Sequence, residues 1–189
     1  MTKERILEQA LALFTDKGYE GASMDDIAAA VGIRKASLYA HYSGKEAIFA
    51  AIFADILTEY EAFINALAAP AAGRAAPEHL EHIFGTFIRY CWQSPRMYFW
   101  DRYFYYPPAF LREEIQQKTL ETQQVFLARI TAVAAEGVRR GEIREKSPEK
   151  LALAFYYLMI GLSMSVKLYD QAALNADIDA AWEGFRRGL

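Results

Sequence analysis

Along the first 69 residues, apolar positions recur at three- and four-residue spacing and only glycine interrupts them. Ile6, Leu7, Ala10, Leu11 and Phe14 form one such stripe, which predicts an amphipathic helix over 3–17 ended by Gly18 as a left-handed stop. Ser23 reads as the N-cap of a short second helix, with Asp25 and Asp26 in its first turn near the positive end of the helix dipole. Ile27, Ala28 and Val31 supply its inner face, Gly32 makes a turn, and Ile33 fills the gap before a third short helix. Leu38 and Tyr42 are four apart and share one side of that helix. From 45 to 68 a broad unbroken face (Ile48, Phe49, Ile52, Phe53, Ile56, Leu57, Tyr60, Phe63, Ile64, Leu67) predicts one helix, roughly 36 Å long at about 1.5 Å per residue.

All six prolines lie at or beyond Pro70, and the segment 70–77 (PAAGRAAP) is the clearest loop. Further helices are expected at 78–93, 95–106, 109–140, 148–170 and 175–187. The breaks fall at Ser94-Pro95, Pro107-Pro108, Gly141 and Ser147-Pro148. No alternating strand pattern competes. The expected fold is all-α with about nine helices: a three-helix bundle at 1–47, joined by the long helix to a helical C-terminal domain at 48–189.

Composition narrows the classes. A 53% hydrophobic, 24% charged chain of 189 residues is that of an ordinary globular protein. The longest uncharged run, 151–166, is 16 residues, short of the roughly 20 needed to cross a bilayer, and no signal-peptide pattern opens the chain. A cytoplasmic protein without a membrane partner is expected. The net charge of −3 argues against nucleic acid only until its distribution is read: between Ile27 and Lys45 the only charges are Arg34, Lys35 and Lys45.

That local basic face lies on the third helix. With Leu38 and Tyr42 inward, the helix presents Lys35, Ala36, Tyr39 and Ala40, with Ser37 and His41 at the flanks. Small residues give clearance in a major groove, and donors reach base edges and phosphates. Lys35 is the candidate for a guanine edge, and Tyr39, His41 and Lys45 for backbone phosphates. The candidate DNA-contacting set is Ser23, Arg34, Lys35, Ala36, Ser37, Tyr39, Ala40, His41, Tyr42 and Lys45. At these residues the chain resembles the TetR family of bacterial regulators over roughly 5–53. The shared elements are Phe14, Gly18 and Tyr19, then SMDDIA, AVGI, the LYxHY element at 38–42 and GKE at 44–46. Tyr42 stands where the family more often has phenylalanine, which leaves it open as core or phosphate contact. The resemblance implies a homodimer on a palindromic double-stranded operator, and a variable C-terminal domain whose small-molecule inducer weakens DNA binding.

Eleven of the 27 aromatic residues fall in the 24 residues 87–110. Tyr90, Trp92, Trp100, Tyr103, Phe104 and Phe110 are candidate walls of a pocket for a hydrophobic or aromatic inducer, or, with Asp101 or Glu113 inward, for an organic cation. Packing and dimer surface are the alternative uses of these rings. Near the C-terminus Phe155, Leu158, Met159, Leu162 and Val166, with Ile178, Trp182 and Phe185, form faces that complete the subunit core or pack against a twin. A two-fold reader needs a rigid interface to hold its helices about 34–36 Å apart.

An enzyme is the rival class. Cys91 lies on the apolar stripe of Leu80, Ile83, Phe84, Phe87 and Ile88 and reads as a buried structural thiol. His79 and His82 are three apart but lack a third ligand at metal spacing, so two solvent-facing histidines are expected. No nucleotide fingerprint or serine-centred motif appears, and no cofactor is expected. The sequence points to a ligand-responsive transcriptional repressor rather than a catalyst.

Overall fold

The computed structural model describes residues 3–71, 73–144, 147–168 and 170–189, without the side chains of Tyr105 and Lys167. Among the described residues every regular element is helical: α1 Lys3–Gly21, α2 Met24–Val31, α3 Lys35–Tyr39, α4 Lys45–Leu67, α5 Ala76–Gln93, α6 Pro95–Tyr105, α7 Arg112–Arg139, α8 Pro148–Ser165 and α9 Gln171–Arg186. Single 3-10 turns at Ala109–Leu111 and Val166–Leu168 precede α7 and follow α8. The helix ends have local causes. Ser147 caps α8 ahead of Pro148, whereas α9 begins four residues before its expected start because the Asp170 carboxylate accepts the Ala173 amide at 2.8 Å. Helix α8 ends at Ser165 rather than running to 170. The hydroxyls of Ser163 and Ser165 donate to the carbonyls of Ile160 and Leu162, both at 2.9 Å, in competition with the helical ladder. Tyr169, within the expected span, lies outside the described residues.

The chain forms two compact units: Met1–Tyr60 with Pro95–Thr119, and Glu61–Ser94 with Leu120–Leu189. Helices α4 and α7 contribute residues to both. In the first unit Ile6, Ala10 and Phe14 of α1 are buried, as are Ile27, Val31, Leu38, Ile48 and Phe49 of the following helices. The aromatic helix α6 belongs to this same unit. Tyr103 Oη donates to the Phe14 carbonyl at 2.9 Å and Arg102 Nη1 to the Thr15 carbonyl at 2.7 Å, so α6 satisfies acceptors left open where α1 breaks. The break is at Gly18, whose φ of 80° is positive but whose ψ of 165° is extended. The expected left-handed stop is therefore a kink, and α1 resumes for one more short turn to Gly21. A Cβ at Gly18 would lie 2.8 Å from Arg102 Nη2, so the residue answers both to backbone conformation and to close approach.

In the second unit Phe84, Phe155, Trp182 and Phe185 pack as one ring cluster and Phe87, Phe126 and Tyr156 as another. Phe155, Met159, Val166, Ile178 and Trp182 are buried in this unit's own core, and Leu158, Leu162 and Phe185 are half-buried. The face read from the sequence as available to a twin thus turns mainly inward. Helix α8 is apolar on more than one side, so periodicity marks its apolar positions without saying which are inside. The outward stripe is Leu153, Tyr157, Met164 and, in the 3-10 turn, Leu168. Gly137 of α7 permits a close crossing, because a Cβ there would meet Ala76 Cβ and Ile143 Cδ1, each at 2.6 Å. Next to it, the Glu142 carboxylate accepts the Ala76 amide at 2.7 Å and caps the start of α5.

Candidate nucleic-acid interface

The turn between α2 and α3 sets the candidate surface. Gly32 takes φ 77° and ψ 36°, its amide bonds to the carbonyls of Ala28 and Ala29, and the Ile33 amide returns to Ala28 at 2.9 Å. This is the paired bonding of a Schellman end, which needs a left-handed residue and so selects glycine. At the other end of α2, Ser23 Oγ accepts the Asp26 amide at 3.1 Å and Asp26 accepts the Ser23 amide at 2.9 Å, a closed capping box. The hydrogen bonds from Ser23, with Lys17 alongside at 3.1 Å, hold the Asp26 carboxyl down to about 2. Ser23 is exposed but engaged in this box, so its first role is to fix α2.

Helix α3 is only five residues long, anchored by Leu38, which has no exposed surface. Lys35, Ala36, Ser37, Tyr39, Ala40 and His41 all point to solvent, and so does Arg34 at the helix entry. A short helix with one buried anchor and four exposed residues, continued by exposed Ala40 and His41, is a surface shaped for a partner rather than for its own core. Tyr42 is half-buried, with burial and then the Asp55 charge raising its phenol pKa, and the Lys3 ammonium sits 5.8 Å from its ring centre. Lys3 is a cation beside the candidate surface that the sequence reading missed. It lies 39 residues away, and no local pattern could have paired it with Tyr42.

Two of the expected contact residues are already occupied. Lys35 Nζ forms an exposed ion pair with Asp25 at 2.7 Å, so the basic face is less free of acid than its sequence segment, which excludes Asp25, implied. Lys45 Nζ donates to the Tyr19 carbonyl at 2.8 Å and lies 4.1 Å from the Tyr19 ring centre. It ties the start of α4 to the end of α1. Burial first, and then Glu46, raise the Tyr19 phenol further.

The other expected sites fall elsewhere. Trp100 is buried and stacked between Phe53 and Tyr60, each ring centre 5.5 Å away. Tyr103 is buried against Phe49 and Phe99, and Phe110 is half-exposed beside Tyr19. Phe104 and Trp92 are half-buried, and Tyr90 stacks on Phe63 at 3.9 Å. The Tyr105 side chain lies outside the described residues. Trp100, Tyr103, Phe104 and Phe110 in the first unit, and Tyr90 in the second, meet other rings. For the cation box, Glu113 is exposed. Cys91 is buried. His79 is also buried, whereas His82 is exposed, which corrects the expectation that both face solvent. Its position one turn into α5 places it on the same apolar stripe as Leu80 and Ile83. No group of three metal-ligating side chains occurs among the described residues. None of their helices is long and apolar enough to cross a membrane.

Comparison with known proteins bears on these helices. A family model described as bacterial regulatory proteins, tetR family, matches residues 6–52. The chain is 51% identical over 47 residues to the negative transcriptional regulator IcaR of the biofilm operon icaADBC from Staphylococcus epidermidis, and 49% identical over 47 residues to its counterpart in Staphylococcus aureus. In each case the match spans 25% of this chain and 25% of the relative's length. Over the whole chain, the solved structure of the TetR family regulator PfmR from Thermus thermophilus is similar with a TM-score of 0.74 and 26% identity, covering 100% of this chain and 97% of that one. FadR from Bacillus subtilis, solved in complex with stearoyl-CoA, shares the fold with a TM-score of 0.70 at 18% identity, covering both chains fully. The helix-turn-helix segment of this chain thus matches the tetR family model over residues 6–52, and its whole fold is similar to that of a TetR family regulator.

Proposed function

We propose that the protein is a transcriptional repressor that binds a palindromic double-stranded operator as a homodimer and is released by a small-molecule inducer. The observation that carries the reading is α3 itself: Leu38 fully buried beneath an exposed face of Lys35, Ala36, Tyr39 and Ala40, set by the Gly32 turn. Residues 1–47 are its DNA-reading domain and 48–189 its regulatory and dimerising domain. Lys35 leaves Asp25 to reach a base edge. The pair is exposed and held weakly in water, so little opposes the exchange. Lys45 keeps donors free for a phosphate while holding Tyr19, since an ammonium has three.

The dimer forms through the outward stripe of α8, Leu153, Tyr157 and Met164, together with the exposed small residues Ala172, Ala176, Ala180 and Gly184 of α9, which allow close helix approach. Such a face is isologous, as a two-fold reader requires.

Selection from random duplex DNA tests the reading. The expected product is a palindrome with half-sites centred about 34–36 Å apart; recovery of no enriched sequence would overturn it. On that operator, Lys45→Ala is expected to weaken specific and non-specific DNA alike and to reduce the salt slope by about one.

A further inference from the structure

The second unit encloses a cleft of about 460 Å³ that none of the expected aromatic residues lines. One wall is a single face of α7, with Arg129, Val133, Glu136 and, just past the helix end, Arg140 at helical spacing. Arg74 and His79 stand on the other side, and alanines with Pro70 supply the rest. The charges are unevenly matched. Glu136 accepts Arg140 Nε at 2.5 Å and is also paired with Arg139, and Glu142 lies 3.9 Å from Arg140. Arg74 and Arg129, by contrast, have no carboxylate partner among the described residues. The Nε of Arg129 is buried without a hydrogen-bond acceptor among the described residues.

A guanidinium partly withdrawn from water and left unpaired works against folding. Its presence at the wall of a cleft has an explanation if a ligand supplies the missing anion. We propose that this cleft is a binding site for a small organic anion, a carboxylate held on the fork of Arg129 and assisted by Arg74, with a short apolar body against Val133 and the alanines. The planar fork suits a carboxylate bidentately. The volume falls in the range of about 300–1,000 Å³ usual for small-molecule sites. Glu136, already neutralised by its arginines, leaves room for one added negative group and disfavours a more highly charged one.

The inference is independent of operator recognition, and its test contains no DNA, so its failure is distinguishable from failure of the repressor reading. Isothermal titration of the full chain with sodium hexanoate, hexanamide and inorganic phosphate reads the site directly. Hexanoate is expected to bind at least tenfold more tightly than either of the other probes. Arg129→Gln is expected to weaken hexanoate at least tenfold while leaving the unliganded Tm unchanged or higher, and Arg74→Gln to weaken it by a smaller factor. Should Arg129→Gln fail to fold, Arg129→Lys keeps the charge without the fork and is expected to lose most of the hexanoate affinity. Absence of hexanoate binding, equal binding of hexanamide or phosphate, or hexanoate binding undiminished in the Arg129 variant that folds would overturn the proposal.

Discussion

Residues 95–110 carry eight aromatic side chains, whereas residues 68–79 and 129–140 carry none. The first segment builds a closed cluster in which Phe49 touches Phe14, Tyr19, Phe99, Tyr103 and Phe110. The other two, made of alanine, arginine and one close-crossing glycine, enclose the 460 Å³ cleft. Large rings fill the space they help to define, and their flat faces find other rings within about 5–7 Å. Small residues leave space between helices that rings would fill, and here Arg74 and Arg129 line that space. An aromatic concentration in a sequence is therefore evidence of packing before it is evidence of a pocket.

The contrast can be broken at its strongest point by cutting the ring cluster. Phe49→Ala or Trp100→Ala is expected to cost about 3–5 kcal/mol in chemical denaturation, as for other buried aromatics reduced to alanine. A loss under about 1 kcal/mol would mean the rings are loosely held and that the cluster is a cavity after all. The glycine on the other side of the comparison comes next. Gly137→Ala places a methyl group 2.6 Å from Ala76 and Ile143, and overpacking of this kind costs about 1–3 kcal/mol, against a gain of up to about 1 kcal/mol in helix propensity. A lowered Tm is expected, and a raised one would show that α7 and α5 can separate.

The smallest effect concerns His79 at the margin of the cleft. Burial, set against a hydrogen bond to the Leu67 backbone and joined by the Arg74 charge, lowers its pKa from the usual 6.5. The unfolded chain therefore takes up the proton first, so the stabilisation is complete above about pH 6.5 and is lost as pH falls through the lowered folded value. Denaturation midpoints measured from pH 7.5 down to 5 are expected to fall, and His79→Gln to flatten that part of the profile. An identical slope in the variant would assign it to other groups.

Much of the candidate surface was legible because it is local. The Ser23 cap, the Gly32 turn and inward Leu38 each depend on residues within a few positions, where propensity and tertiary packing agree. The partners of Lys35 and Lys45 were not legible in the same way. Asp25 is ten residues from Lys35 and Tyr19 is 26 from Lys45, and a charged side chain takes whichever partner the fold brings near. On α8 the apolar positions were plain, but Phe155 and Tyr157 were separated into inside and outside only by the helices packed around them.

The sequence by itself determined the all-helical fold, most helix boundaries and the exposed face of α3, since helical period, caps and glycine turns are short-range physics. Only the tertiary structure decided that Gly18 kinks α1 against Arg102, that α6 caps α1, that α8 turns Leu153, Tyr157 and Met164 outward, and that Arg129 lines a cleft with its Nε lacking an acceptor among the described residues. Each of these depends on groups brought together from distant parts of the chain, where the deciding quantity is the space and charge left over after packing.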